Sequence, residues 1–174
     1  MRVIRSHAAG ALRRRREEAP FIPPRAPLPP SVPNHVTPRG LRLLLEERAA
    51  LEADRSKPYE SEEAKRRAWA EIDGRLELLN ESLGSARVME PPDPAPDDVR
   101  FGATVTFTLL NGPQAGQERT FTIVGVDEAS VKDGRIAFTA PVARALVGRR
   151  KGEEAEFPLG TGVQRLVVTA VAYA

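Results

Sequence analysis

Cysteine is absent from the 174 residues, so the chain can hold no disulfide, thiol nucleophile or cysteine-ligated zinc. Histidine occurs only at His7 and His35, which excludes a His-rich metal site or a multi-His relay. No stretch approaches the about 18 consecutive apolar residues of a transmembrane helix. The opening segment is basic but has no apolar stretch of signal-peptide length. No phosphate-binding glycine loop of the P-loop type occurs, and no motif assembles a Ser-His-Asp set. Leu159-Gly160-Thr161-Gly162-Val163 reads instead as a turn between strands.

Charge is present but unevenly placed. Residues 1–36 hold 7 arginines against 2 glutamates, a net +5, whereas residues 37–90 carry −2 and residues 91–174 carry −1. The basic balance therefore belongs to the N-terminal tail, and the remainder does not resemble a dedicated duplex-DNA binder. The tail also holds 7 of the 16 prolines, most of them between Pro23 and Pro30. Fixed φ and missing amide hydrogens favour extended polyproline II there. Arg13-Arg14-Arg15-Arg16 fits either a contact with an acidic surface or a solvated, disordered arm. Residues 1–36 are read as a disordered basic, Pro-rich tail.

Helical signals begin at Thr37-Pro38, a good N-cap followed by proline at the first helical position. Leu41, Leu44, Leu45 and Leu51 recur near helical spacing. Pro58 disfavours helix at Lys57, which places a turn there. A second helix opens near Ser61-Glu62-Glu63, and Trp69, Ile72, Leu76, Leu79 and Leu83 form a heptad seam. Gly84 is a plausible stop. Residues 37–88 thus read as an antiparallel coiled-coil hairpin, with Trp69 in its seam and Tyr59 either packed across its turn or, as an aromatic at an exposed tip, able to stack or wedge. Such a pair is marginal alone and needs a base.

Residues 89–98 form a stiff linker with four prolines, Pro91, Pro92, Pro94 and Pro96. Beyond it the period changes from helical to alternating. Val105, Phe107 and Leu109 alternate with threonines; Phe121 with Ile123, Ile136 with Phe138, and Leu166, Val168 and Ala170 repeat the pattern. Pro141 to Leu146 reads as a short helix with Val142, Ala145 and Leu146 inward. Residues 99–174 are a small, mostly antiparallel α+β unit.

Several blocks of that unit carry a family pattern. Phe101-Gly102-Ala103-Thr104-Val105, Ile123-Val124-Gly125-Val126-Asp127-Glu128-Ala129, Ala140-Pro141-Val142-Ala143-Arg144-Ala145-Leu146-Val147-Gly148 and Lys151-Gly152-Glu153 follow in order and spacing. Together they resemble the C-terminal domain of the GreA/GreB transcript-cleavage factors. Val36 to Leu41 resembles the opening of that family's first coiled-coil helix, and Ala70 to Leu76 part of the second. The resemblance implies an α+β fold: an antiparallel helical hairpin followed by an FKBP-like antiparallel β-domain with a short helix. It also implies a partner, RNA polymerase, bound at its secondary channel, and a hairpin that enters the channel toward nascent RNA. The protein would then be no enzyme: the polymerase active site would cleave backtracked RNA, with tip carboxylates helping to hold a shared Mg²⁺. Hard Mg²⁺ requires oxygen ligands, which carboxylates supply. No intrinsic cofactor or metal site is expected. A cytoplasmic monomer with no membrane contact is.

The hairpin departs from the family. A first helix of about 18 residues reaches roughly 27 Å, shorter than a typical Gre arm. Asp54 aligns with the family's tip aspartate, but Lys57 falls where it carries glutamate. Glu60, Glu62 and Glu63 are nearby, and Asp54 and Glu60 are the carboxylates expected to assist catalysis. The alternative for the glutamates is favourable charge at a helix N-terminus. Asp127, Glu128, Pro141 and Arg144 are expected to face the polymerase, whereas Arg149-Arg150-Lys151 reads as a solvated turn. Three alternatives stay open: a non-cleaving competitor at the same polymerase site, a recruiter working through its tail, and an FKBP-like prolyl isomerase.

Overall fold

The computed structural model describes residues 20–174; His7 and the Arg13–Arg16 run lie outside them. Thr37 accepts a 2.9 Å hydrogen bond from the Gly40 amide and opens helix α1 (Pro38–Arg55), with Pro38 in the first turn. Ser61 does the same for helix α2 (Glu62–Ser85) through the Ala64 amide at 3.1 Å, with Glu62 and Glu63 at the positive end of the helix dipole. The helices run antiparallel. Arg55 pairs with Asp73 near the turn, and Asn34, just before α1, bonds Ser82 and Ser85 near the end of α2.

Leu44, Leu51, Ile72 and Leu79 fill the seam, with Leu41, Leu76 and Leu83 against them. Three helix expectations need correcting. Leu45 is exposed, because one residue after the inward Leu44 the helix has turned its side chain away. Trp69 is half-buried rather than core. Gly84 does not stop α2, which continues to Ser85 and ends where Ala86 turns extended.

The tail does not run unpaired up to residue 36. Asn34–Val36 form strand β1, parallel to β2 (Ala86–Val88), which binds the two feet of the hairpin together. A three-residue strand behind a proline run carries no alternation to reveal it; its partner lies some 50 positions later.

The second unit is a five-stranded sheet. Its strands are β3 (Thr104–Leu109), β4 (Glu118–Val124), β5 (Arg135–Ala137), β6 (Glu154–Leu159) and β7 (Gly162–Ala172), ordered β5-β4-β3-β7-β6. All pairs are antiparallel except β4 with β5. Strand β3 alternates strictly: Val105, Phe107 and Leu109 are buried, and the threonines between them face the other side. Two of those threonines meet cross-strand partners, Thr104 with Thr122 and Thr106 with Thr120, at 2.9 and 3.0 Å. Ile123, Leu166 and Val168 complete the core, which helix α3 (Pro141–Leu146) covers with Ala143 and Leu146. Val142 and Ala145 are only half-buried, so the inward stripe falls on Ala143 instead. Strand β6 precedes the Gly160–Gly162 turn that the sequence places between strands. It is an edge strand whose buried side chain is Ala155, and edge strands tolerate its glutamates and Pro158.

The linker is tied to the sheet at its end. The Tyr173 hydroxyl donates to the Asp98 carbonyl at 2.6 Å and accepts from the Arg100 amide at 2.9 Å.

Candidate functional site

Three places carry the chemistry that the sequence singles out: the hairpin tip, the outer face of α3, and the junction between hairpin and sheet.

At the tip, α1 ends with carbonyls that its own helix cannot satisfy. Two aromatic donors cap them: the Tyr59 hydroxyl reaches the Asp54 carbonyl at 2.8 Å, and the Trp69 indole N–H reaches the Arg55 carbonyl at 3.2 Å. The Arg55 guanidinium and the Lys65 ammonium each lie 4.9 Å from the centre of the Trp69 ring. Trp69 therefore braces the tip rather than filling the seam.

The Asp54 carboxylate pairs with Lys57, one helical turn away. The hydrogen bond and charge of Asp54 hold the Lys57 ammonium above the usual lysine range. Glu63 pairs with Arg67 at 2.7 Å, and Glu62 lies 3.8 Å from Lys65. Glu60 is exposed. Among the described residues, no group of three or more acidic or histidine side chains is placed to hold a metal ion.

On α3, Pro141 and Arg144 are exposed, and Val147 just beyond is 49% exposed. Among the described residues no acid pairs with Arg144, which leaves this face cationic and apolar.

Asp127 and Glu128 do not share that exposure. They lie on a short 3-10 turn (Val126–Glu128) under the hairpin base. The Glu128 side chain is 3% exposed; one oxygen takes the Arg39 guanidinium at 2.8 Å and the other takes the Thr37 hydroxyl. Asp127 accepts from Arg25 Nε at 2.9 Å, and the same guanidinium grips Glu47 of α1 at 3.1 to 3.2 Å. Both carboxylates are turned inward and join the two units. The expectation that they face a partner fails for this reason.

Close packing completes the junction. A Cβ on Gly125 would lie 2.6 Å from the His35 carbonyl, so only glycine admits β1 here. The rings of His35, Phe101 and Phe138 stand 5.7 Å apart pairwise.

Comparison with known proteins places this arrangement. Residues 93–173 match the model of the family described as "Transcription elongation factor, GreA/GreB, C-term". Over 129 residues the chain is 40% identical to the transcription elongation factor GreA of Hyphomonas neptunium, covering 72% of this chain and 80% of that one. The chain belongs to the GreA/GreB family. It is a Gre-type transcription elongation factor and not itself an enzyme. GreA of Methylococcus capsulatus is 32% identical over 137 residues, 78% of this chain and 83% of the relative. GreA of Syntrophotalea carbinolica is 38% identical over 102 residues, which cover 59% of this Gre-family chain but only 63% of the relative. The solved GreA/GreB factor of Nitrosomonas europaea aligns at 24% identity and TM-score 0.39, over 80% of this chain and 98% of that one.

The residues that sequence reasoning missed in this Gre-family chain are those of the junction: Arg25, Glu47, Thr37 and Arg39. Arg25 and Asp127 are 102 positions apart, and no local pattern links them. Gly125 carried the one usable signal, a glycine among buried residues at the end of a strand.

Proposed function

We propose that this chain binds RNA polymerase at the secondary channel and modulates elongation in the cytoplasm. The sheet with α3 is read as an FKBP-like platform. Its exposed Pro141, Arg144 and Val147 form the docking face, which suits an acidic, partly apolar surface. The hairpin is the arm that enters the channel toward nascent RNA. One observation supports this division: at the base of the hairpin the Glu128 carboxylate is buried in its pair with Arg39, whereas both partners of the Asp54–Lys57 pair at the tip are largely open to water.

The tip also favours one version of that activity. A cation approaching Asp54 meets the Lys57 ammonium first, and Glu60 is exposed to water. We therefore read the chain as occupying the channel with little help to cleavage, in competition with ordinary Gre factors. Rings that an isomerase would need are spent elsewhere, since Phe107 is buried and the half-buried Phe121 packs against the core 6.1 Å from it.

The test follows RNA cleavage in backtracked polymerase complexes, first with this protein alone and then against a fixed amount of an ordinary Gre factor. Suppression of that factor with no cleavage alone is the expected result. Cleavage by the protein alone restores the assisting version, and Asp54→Ala and Glu60→Ala then identify the carboxylate. If neither signal moves, binding at the channel is wrong.

A further inference from the structure

We propose that residues Ile22–Arg25 form a strap that sets the angle of the hairpin on the sheet. Two independent features carry it. The first is a seat: Gly74, inside α2, leaves a notch in which Ile22 lies so close that a Cβ would stand 2.8 Å from its Cδ1 and Cγ1. Glycine in a helix interior is unfavourable, so this one needs a reason. The second is a fork: Arg25 bonds Glu47 on the hairpin and Asp127 on the sheet side through separate nitrogens of one planar group. A guanidinium holds its donors in fixed directions, so gripping two carboxylates fixes their relative placement.

The burial agrees with this. The Arg25 side chain is 20% exposed and that of Asp127 only 9%, so this is no solvated surface pair. Pro23 and Pro24, between the two anchors, hold the segment extended and lower the entropy lost when it docks. The other joints, Thr37 and Arg39 on Glu128, sit at the foot of α1. The strap instead holds the hairpin further along, at Glu47 and Gly74. An arm restrained at two heights is preorganised for a partner that must engage platform and arm together.

The test reads geometry alone, so its outcome does not depend on polymerase binding. The chain has no cysteine, so nitroxides can be attached cleanly at Arg66→Cys near the tip and Lys151→Cys on the sheet unit of the full-length protein. Pulsed dipolar spectroscopy then gives the distance distribution between them. The double variant Ile22→Ala/Arg25→Ala should make it roughly twofold wider, as one dominant arrangement gives way to several. Arg25→Lys should widen it too, since a single ammonium keeps the charge but cannot fix the directions of two carboxylates. A double variant that keeps the wild-type width overturns the strap. Should circular dichroism show the double variant unfolded, Arg25→Lys decides alone: widening supports the strap and an unchanged width overturns it.

Discussion

At the base of the hairpin Glu128 meets Arg39, and at its tip Asp54 meets Lys57. The partners are alike, a carboxylate and a cation, but the settings differ. The Glu128 side chain is 3% exposed and also takes the Thr37 hydroxyl, whereas the side chains of Asp54 and Lys57 are 45% and 67% exposed. In water an ion pair gains little over its hydrated parts; a carboxylate held under a packed interface has no such alternative, even though its partner Arg39 is itself 44% exposed. The base is thus built for position and the tip for exchange with surroundings. That difference suits an arm whose root must hold while its end meets a changing environment.

The contrast breaks most severely at Arg39. Arg39→Ala leaves the Glu128 carboxylate buried with only Thr37, and should cost about 3 kcal/mol, the lower end for a broken buried pair because Arg39 itself is half exposed. Denaturant unfolding measures it; a loss as small as a surface pair gives would put base and tip on equal terms. Gly125→Ala comes next. Its Cβ would press on the His35 carbonyl, a backbone atom that cannot swing away, at a cost of about 2 kcal/mol typical of overpacking. A fall in Tm, with a near-ultraviolet signal altered at the His35, Phe101 and Phe138 cluster, is the expected readout.

Tyr173 offers a smaller, pH-dependent version. Partial burial raises its hydroxyl pKa above the ordinary 10.0. The neutral hydroxyl is the form that donates to Asp98, so its contribution is fully present below pH 10.0 and lost as pH rises past the raised value. Tyr173→Phe should cost about 1 kcal/mol at neutral pH, and the gap to wild type should close in strongly alkaline solution. A gap independent of pH would remove the hydroxyl as its source. At the tip, Lys57→Ala should leave Tm unchanged, yet raise RNA cleavage in backtracked complexes if Lys57 is what masks Asp54. No change in cleavage would show that arm length or register, not the lysine, limits the tip.

Much of this was legible residue by residue. Thr37-Pro38 and Ser61-Glu62-Glu63 start their helices where the caps fall, and Lys57-Pro58 makes the turn between them. The alternation of Val105, Phe107 and Leu109 with threonine makes a strand with one buried face. Leu45 and Gly84 were misread because a stripe or stop inferred from residue type does not say which neighbour occupies the space beside it. Of the site residues, Asp54 and Glu60 lie at the tip, and Pro141 and Arg144 lie exposed on α3. Asp127 and Glu128 are indistinguishable in sequence from a surface acidic pair.

The sequence by itself determined the local order of this protein: helix starts, the turn, strand faces and family membership, all of which depend on residues close together along the chain. The tertiary structure decided which carboxylates are free. Glu128 became internal because Arg39 and Thr37 fold over it, and Asp127 because Arg25 reaches it from 102 positions away. Burial depends on what else arrives in the same volume, and periodicity does not encode that.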